Sequence, residues 1–141
     1  MRSMESSLKL LRTIQMALLA SVFLYALLAA KLGPAPQKTA PVVLYAIAAV
    51  AVSVTVGILM VRRAMVMRAE SVLSVNAEDS SALNRWRAGY IIVLALSETI
   101  AVHGLVLRFV GFGFSQALPF FLASFILMLF FGPRRPSNAI G

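Results

Sequence analysis

Four long apolar stretches constrain this chain more than any other feature of its sequence. They cover residues 13–30, 42–61, 88–107 and 115–131. A helix needs about 20 predominantly apolar residues to cross roughly 30 Å of hydrocarbon, and these stretches reach or approach that length. Hydrophobic residues make up 60% of the chain and charged residues 13%, whereas soluble domains average about 45–50% and about 25%. The sequence therefore predicts an all-α integral membrane protein with four transmembrane helices in a single membrane domain, residues 1–141.

Prolines, glycines and polar residues separate the four spans. Pro41 suits the first turn of the second helix, and Pro133 follows the fourth span. Residues 62–87 mix charged and apolar side chains, so we predict a cytoplasmic loop there, with a helical extension lying in the membrane interface as an alternative. Residues 133–141 are predicted to form a disordered tail.

The N-terminal stretch has a second interpretation as a secretory signal. Basic residues precede an apolar run that ends in Leu28-Ala29-Ala30. The apolar region of a signal peptide is normally about 7–15 residues long, and this run is longer. We therefore expect the first helix to be retained, with cleavage after Ala30 as the alternative.

The basic residues predict the orientation of the spans. If the N-terminus is placed in the cytoplasm, only Lys31, Lys38 and Arg108 lie outside. The other ten of the 13 basic residues lie inside: Arg2, Lys9, Arg12, Arg62, Arg63, Arg68, Arg85, Arg87, Arg134 and Arg135. This positive-inside asymmetry predicts cytoplasmic termini and a multi-pass protein of the cell inner (cytoplasmic) membrane. The net charge of +8 is thereby assigned to topology, and we expect no nucleic-acid partner because no basic patch interleaved with aromatic residues remains.

The residue types also limit the chemistry. The chain has no cysteine and one histidine, which argues against a thiolate site and against a metal site built from protein ligands alone. The spans contain a single carboxylate, so no acid–base pair is available for catalysis. We expect neither an enzyme nor a bound cofactor.

That single carboxylate, Glu98, is the most informative residue. It lies midway along the third span, where an acidic residue costs about 2.5–3.5 kcal/mol on insertion scales and commonly serves a proton, ion or substrate path. Ser97 and Thr99 flank it, and His103 lies about 140° further around the helix. We predict that Glu98, Thr99, Ser97 and His103 form a site for H+ or Na+. In the alternative interpretation, Glu98 is a neutral carboxyl that holds helices together, and His103 is likewise a hydrogen-bonding link between helices.

Small residues predict close helix packing. Ala49, Ser53 and Gly57 are spaced four residues apart on one side of the second span, and Gly104 and Gly111 follow Ser97 at intervals of seven. Small residues at this spacing let helix backbones approach each other in membranes. We therefore expect a homo-oligomer or a subunit of a larger membrane complex, although Ala and Val are also common in membrane helices of no special role.

The second and third spans together resemble a known family. The segment from Arg87 to Leu107 carries a mid-span carboxylate and then Gly104-Leu-Val-Leu, and the second span alternates small residues. These features resemble the helical hairpin of the rotor-ring proteolipid, the c subunit of F-type and V-type ATPases, whose connecting loop is cytoplasmic. The resemblance implies that Glu98 binds the proton or sodium ion. It also places Thr99 at the position of a hydroxyl beside the carboxylate, and His103 where a tyrosine commonly supports it.

Three functions are compatible with these features. The leading hypothesis is a small membrane subunit that binds a proton or cation at Glu98, with ion translocation within a larger complex as its activity. The alternative is a structural or assembly subunit in which Glu98 is a packing device. The third is a small cation or drug exporter, although its spans lack the Trp and Tyr lining that favours an aromatic cation site.

Overall fold

The computed structural model describes residues 2–136, and this part of the chain is helical without strands. The elements are α1 (Arg2–Leu32), α2 (Pro41–Val61), a π-helical segment (Arg62–Met67), α3 (Arg68–Val75), α4 (Ser80–Val110) and α5 (Phe114–Phe130). Three continuous helical stretches are long and apolar enough to cross a membrane: Ser3–Leu32, Pro41–Val75 and Ser80–Val110. The α5 helix is apolar but shorter, with 17 residues. The prediction of an all-α chain with membrane-capable helices is confirmed.

Two of the helices, α1 and α4, extend well beyond the predicted spans. Both α1 and α4 contain 31 residues, and at 1.5 Å per residue each is about 46 Å long. The largest difference concerns the predicted loop 62–87, which is helical except at residues 76–79. The π-helical segment and α3 continue α2 to Val75, because charged residues in an amphipathic pattern do not interrupt a helix as Pro or Gly would. Of the predicted disordered tail, residues 133–136 have no regular secondary structure, and the rest lies outside the described residues.

Local sequence explains where the helices begin and end. Pro41 occupies the first turn of α2. Asp79 caps α4, since its side chain accepts a hydrogen bond from the Ala82 N–H at 2.7 Å. Gly111 ends α4 in the left-handed conformation, with φ of 113°, which glycine adopts without the steric cost of a side chain.

The α4 helix is the centre of the packing, since it contacts α1, α2, α3 and α5. In an apolar stretch of 18 residues in α4, 44% of the residues are buried, against 6% in the corresponding stretch of Pro41–Val75. One apolar cluster joins α1, α4 and α5 around Val22, Leu94 and Phe121. A second cluster joins α2 to α4 through Ile58 and Ile100. The α2 helix therefore leaves most of its surface uncovered by the rest of the chain.

A third cluster lies at the other end of α4, where side chains of α1, α3 and the beginning of α4 meet. It contains Leu11, Leu73 and Trp86, which are almost fully buried. Glu70 of α3 accepts hydrogen bonds from the Trp86 Nε1 at 3.4 Å and from the Tyr90 hydroxyl at 3.2 Å. Apolar burial and a satisfied carboxylate together fix α3 against α4.

Candidate functional site

Glu98 is joined to α1 by a hydrogen bond from Tyr25. The Tyr25 hydroxyl donates to Glu98 Oε1 at 3.0 Å, and both side chains are half-buried. Tyr25, which lies 73 residues earlier in the chain, was not predicted as a partner of Glu98. One signal could have found it: α1 and α4 are both predicted to run outward, and the two residues lie at similar depths from the starts of their spans.

Ser97, the residue before Glu98, turns towards α5 rather than towards Tyr25. Its hydroxyl is fully buried and donates to the carbonyl of Val93 at 2.8 Å. The hydroxyl of Ser124 on α5 then donates to the Ser97 carbonyl at 2.6 Å. Both hydroxyls are therefore engaged with backbone carbonyls, and the second bond ties α5 to α4.

Thr99 and His103 make contacts within α4. The Thr99 hydroxyl donates to the carbonyl of Ala95 at 3.0 Å, and His103 Nδ1 lies 2.6 Å from the Thr99 carbonyl. A carbonyl only accepts, so this contact requires the proton of the imidazole on Nδ1. Within residues 2–136, no hydrogen bond joins Glu98 to Ser97, Thr99 or His103.

The carboxyl of Glu98 also has no cationic partner in the described part of the chain. The salt bridge found there joins Glu5 to Arg135 at 2.9 Å, far along the sequence from Glu98, and both of its side chains are largely exposed. An uncharged carboxyl needs only hydrogen-bonding partners, whereas a hard metal cation is held by several oxygens at once. One phenol donor on one carboxyl is therefore an arrangement that suits a proton better than a metal cation.

The residues predicted to pack helices have three different environments. Gly104 faces α5, where a Cβ would lie 2.9 Å from the Cβ of Phe120. Ala49 and Ser53 are exposed on α2, and a Cβ at Gly57 would meet nothing within 4 Å. Gly111 serves as the C-cap of α4 rather than as part of a packing stripe.

Arg108 is a second feature that the sequence analysis missed, since we expected it at the outer side without a specific partner. It is only 8% exposed. Its guanidinium donates to the carbonyls of Ala29, Gly33, Pro34 and Phe112. These acceptors include carbonyls at the end of α1, where the helix dipole is negative and a cation is stabilised. Arg108 therefore fastens the C-terminal ends of α1 and α4 to each other.

No family model, no curated protein and no solved structure matches this chain.

Proposed function

We propose that this chain is a multi-pass protein of the cell inner membrane that takes up and releases a proton at Glu98, as a subunit of a larger membrane assembly. Its four helical segments cross the bilayer with both termini in the cytoplasm. Ten of the 13 basic residues then face the cytoplasm, as the positive-inside rule requires. The likeness of residues 42–107 to a ring proteolipid hairpin supports the same function.

One observation carries the proposal: a carboxyl midway along a membrane-capable helix has a hydroxyl partner and no cation. Glu98 lies near the middle of the apolar part of α4, accepts from Tyr25, and has no salt-bridge partner within residues 2–136. Keeping a carboxylate ionised at such a place is costly. A purely structural hydrogen bond could be made by Gln or Ser without this cost, so a carboxyl at this position favours proton exchange.

The same geometry makes the proton the preferred ion over sodium. The hydroxyls of Ser97 and Thr99, which the sequence suggested as further ligands, donate to backbone carbonyls of α4. A single chain thus offers Glu98 one hydroxyl oxygen, that of Tyr25. We therefore propose that Tyr25 steadies the carboxyl in both protonation states, because a phenol can donate to either.

A second function is favoured by the same hydrogen bond. The Tyr25–Glu98 bond joins α1 to α4, two helices that also pack through apolar side chains. A structural subunit would use such a bond to hold its helices in register, and interhelical bonds in membranes average about 0.6 kcal/mol. The two functions differ in what they require at position 98: proton exchange requires a carboxyl, and packing requires only an acceptor.

Labelling with a hydrophobic carbodiimide tests the proposal, since this reagent attacks protonated carboxyls that are accessible from lipid. In membranes containing the full chain, we expect an adduct at Glu98 that forms more slowly as the pH rises. Sodium should give no protection, whereas protection by sodium would identify a cation site. Glu70, which already accepts two hydrogen bonds, serves as the internal control carboxyl.

Glu98→Gln then separates the two functions. The amide keeps the acceptor for Tyr25 and cannot exchange a proton. Proton exchange predicts a folded, assembled and inactive variant, whereas a packing role predicts full function in the native membrane. Full function of Glu98→Gln, or absence of labelling at Glu98 over the whole pH range, would contradict the proposed proton site.

A further inference from the structure

A second site lies away from Glu98, between α3 and the beginning of α4. It is a groove of about 150 Å³ whose polar lining comprises Arg68, Asp79, Ser81 and Arg85. The two arginines come from different helices and reach the same groove. The packing of α3 against α4 through Trp86 and Leu73 fixes the separation of these helices, so the groove is built by the fold.

The charges in this groove are not neutralised within the chain. Arg68 and Arg85 are exposed, and in the described part of the chain neither takes part in a salt bridge or a hydrogen bond to a carboxylate. The carboxylate of Asp79 lines the groove and caps α4 through the Ala82 N–H at 2.7 Å, so its single negative charge offsets only one of the two arginines. The groove therefore presents two free guanidinium groups and retains a net positive charge.

We propose that this groove binds a phosphate group, specifically the headgroup phosphate of an anionic lipid. Arginine presents a planar fork of donors that matches phosphate oxygens in pairs. Ser81 adds a hydroxyl, and its backbone N–H belongs to the first turn of α4, where the positive end of the helix dipole attracts anions. Donors from two helices and one hydroxyl thus converge on the same small volume.

The position of the groove along the chain favours a lipid over a soluble phosphate. Arg68 follows the apolar part of α2, which ends at Val61, by only seven residues. Arg85 lies three residues before residue 88, where the predicted third span begins, so both arginines lie just beyond the apolar segments of their helices. This inference rests on the membrane placement proposed above, and it does not depend on proton exchange at Glu98.

The test measures lipid binding by the purified full chain in neutral detergent micelles, where the general attraction of a charged bilayer is absent. Native mass spectrometry should detect one phosphatidylglycerol per chain, bound at least about tenfold more tightly than phosphatidylcholine. Arg68→Gln and Arg85→Gln should each weaken this binding by about tenfold. Arg63→Gln, which removes the same charge from an exposed position outside the groove, is the matched control and should change affinity less than about twofold.

A variant at Asp79 should have the opposite effect. Asn caps helices about as well as Asp, so Asp79→Asn keeps α4 intact, removes the negative charge from the groove and should tighten phosphatidylglycerol binding. Competition by millimolar inorganic phosphate would show that the site recognises phosphate from either source, and no competition would assign it to the lipid alone. Equal weakening by Arg63→Gln and Arg68→Gln, or no preference for phosphatidylglycerol, would overturn the proposal. Carbodiimide labelling of Glu98 is independent of these outcomes, so a negative result for the lipid site would leave the proposed proton site untouched, and the reverse also holds.

Discussion

The strength of the Tyr25–Glu98 hydrogen bond should depend on whether Glu98 is protonated. The Tyr25→Phe substitution measures that strength. This substitution removes the hydroxyl and keeps the ring, so the packing of α1 is preserved. It should be made in two backgrounds, the natural chain and Glu98→Gln. The Gln carbonyl accepts the same bond from Tyr25 but is neutral at every pH. The Gln background therefore calibrates the cost of losing a neutral bond at this 3.0 Å contact.

The expected magnitudes separate the two protonation states. A neutral interhelical bond in a membrane protein contributes about 0.6 kcal/mol on average, whereas a bond to a charged group contributes about 1.5–3 kcal/mol. We propose that the carboxyl rests in its neutral form, because the charged form is costly in hydrocarbon. Tyr25→Phe should then cost about 0.6 kcal/mol of unfolding free energy in both backgrounds at low pH.

Raising the pH should make the cost of Tyr25→Phe differ between the natural chain and the Glu98→Gln background. A carboxyl that releases its proton becomes a charged acceptor and holds Tyr25 more tightly, so the cost of Tyr25→Phe should rise towards about 1.5–3 kcal/mol in the natural chain. In the Gln background the cost should stay constant. The assay is reversible unfolding in mixed detergent micelles between about pH 5 and about pH 9, below the range in which a free tyrosine ionises.

Two results would refute this reasoning. A cost that is the same in both backgrounds at every pH would mean that Glu98 never releases its proton in the folded chain, which leaves only a packing role. A cost already above about 1.5 kcal/mol at low pH in the natural chain alone would mean that the bound carboxyl is ionised. Either result would remove the proton-exchange function.

Three further predictions concern the fold and its assembly. Tags at both termini should be protected from external protease in right-side-out vesicles while the segment around Lys38 is cleaved, and accessible termini would overturn the proposed orientation. Gly104→Leu should unfold the chain, because a Cβ added there would lie only 2.9 Å from the Cβ of Phe120. Gly57→Leu should preserve the fold and disrupt oligomers detected by cross-linking, and equal effects of the two substitutions would contradict the packing argument. Arg108→Met should lower the free energy of unfolding by at least about 3 kcal/mol, since it leaves buried carbonyls without donors. Arg63→Met at an exposed position should change it by less than about 0.5 kcal/mol.

Features that depend on hydrophobicity and on single residues were predictable from the sequence. The four predicted spans lie within or almost within α1, α2, α4 and α5, because an apolar run of about 20 residues has few other ways to satisfy its backbone. Glu98 was singled out because one charge among apolar residues is costly wherever the helix packs. These conclusions needed no knowledge of which helices are neighbours.

Features that depend on contacts between distant segments were not predictable. Tyr25, Ser124 and Arg108 are ordinary residues in a sequence, and each acquires its role from a partner on another helix. The helical continuation of α2 through residues 62–75 differs from the predicted loop for another reason. The basic residues after Val61 are expected at a membrane boundary, but charged residues do not by themselves end a helix, and Arg68–Val75 is helical.

The arrangement of partners around α4 also determines where the proposed proton site lies in any assembly. Successive residues of a helix are about 100° apart, so Glu98 and Ile100 point in roughly opposite directions. Ile100 packs with Ile58 of α2, and Glu98 bonds to Tyr25 of α1. On α2 the same rule directs Ser53 away from Ala51, which is buried, and the side of α2 that carries Ser53 is uncovered. Copies that associate through this side of α2 would have both α2 and the body of α4 between the interface and Glu98. In such an assembly, the proposed proton site belongs to the α1–α4 pair within one chain rather than to a junction between copies.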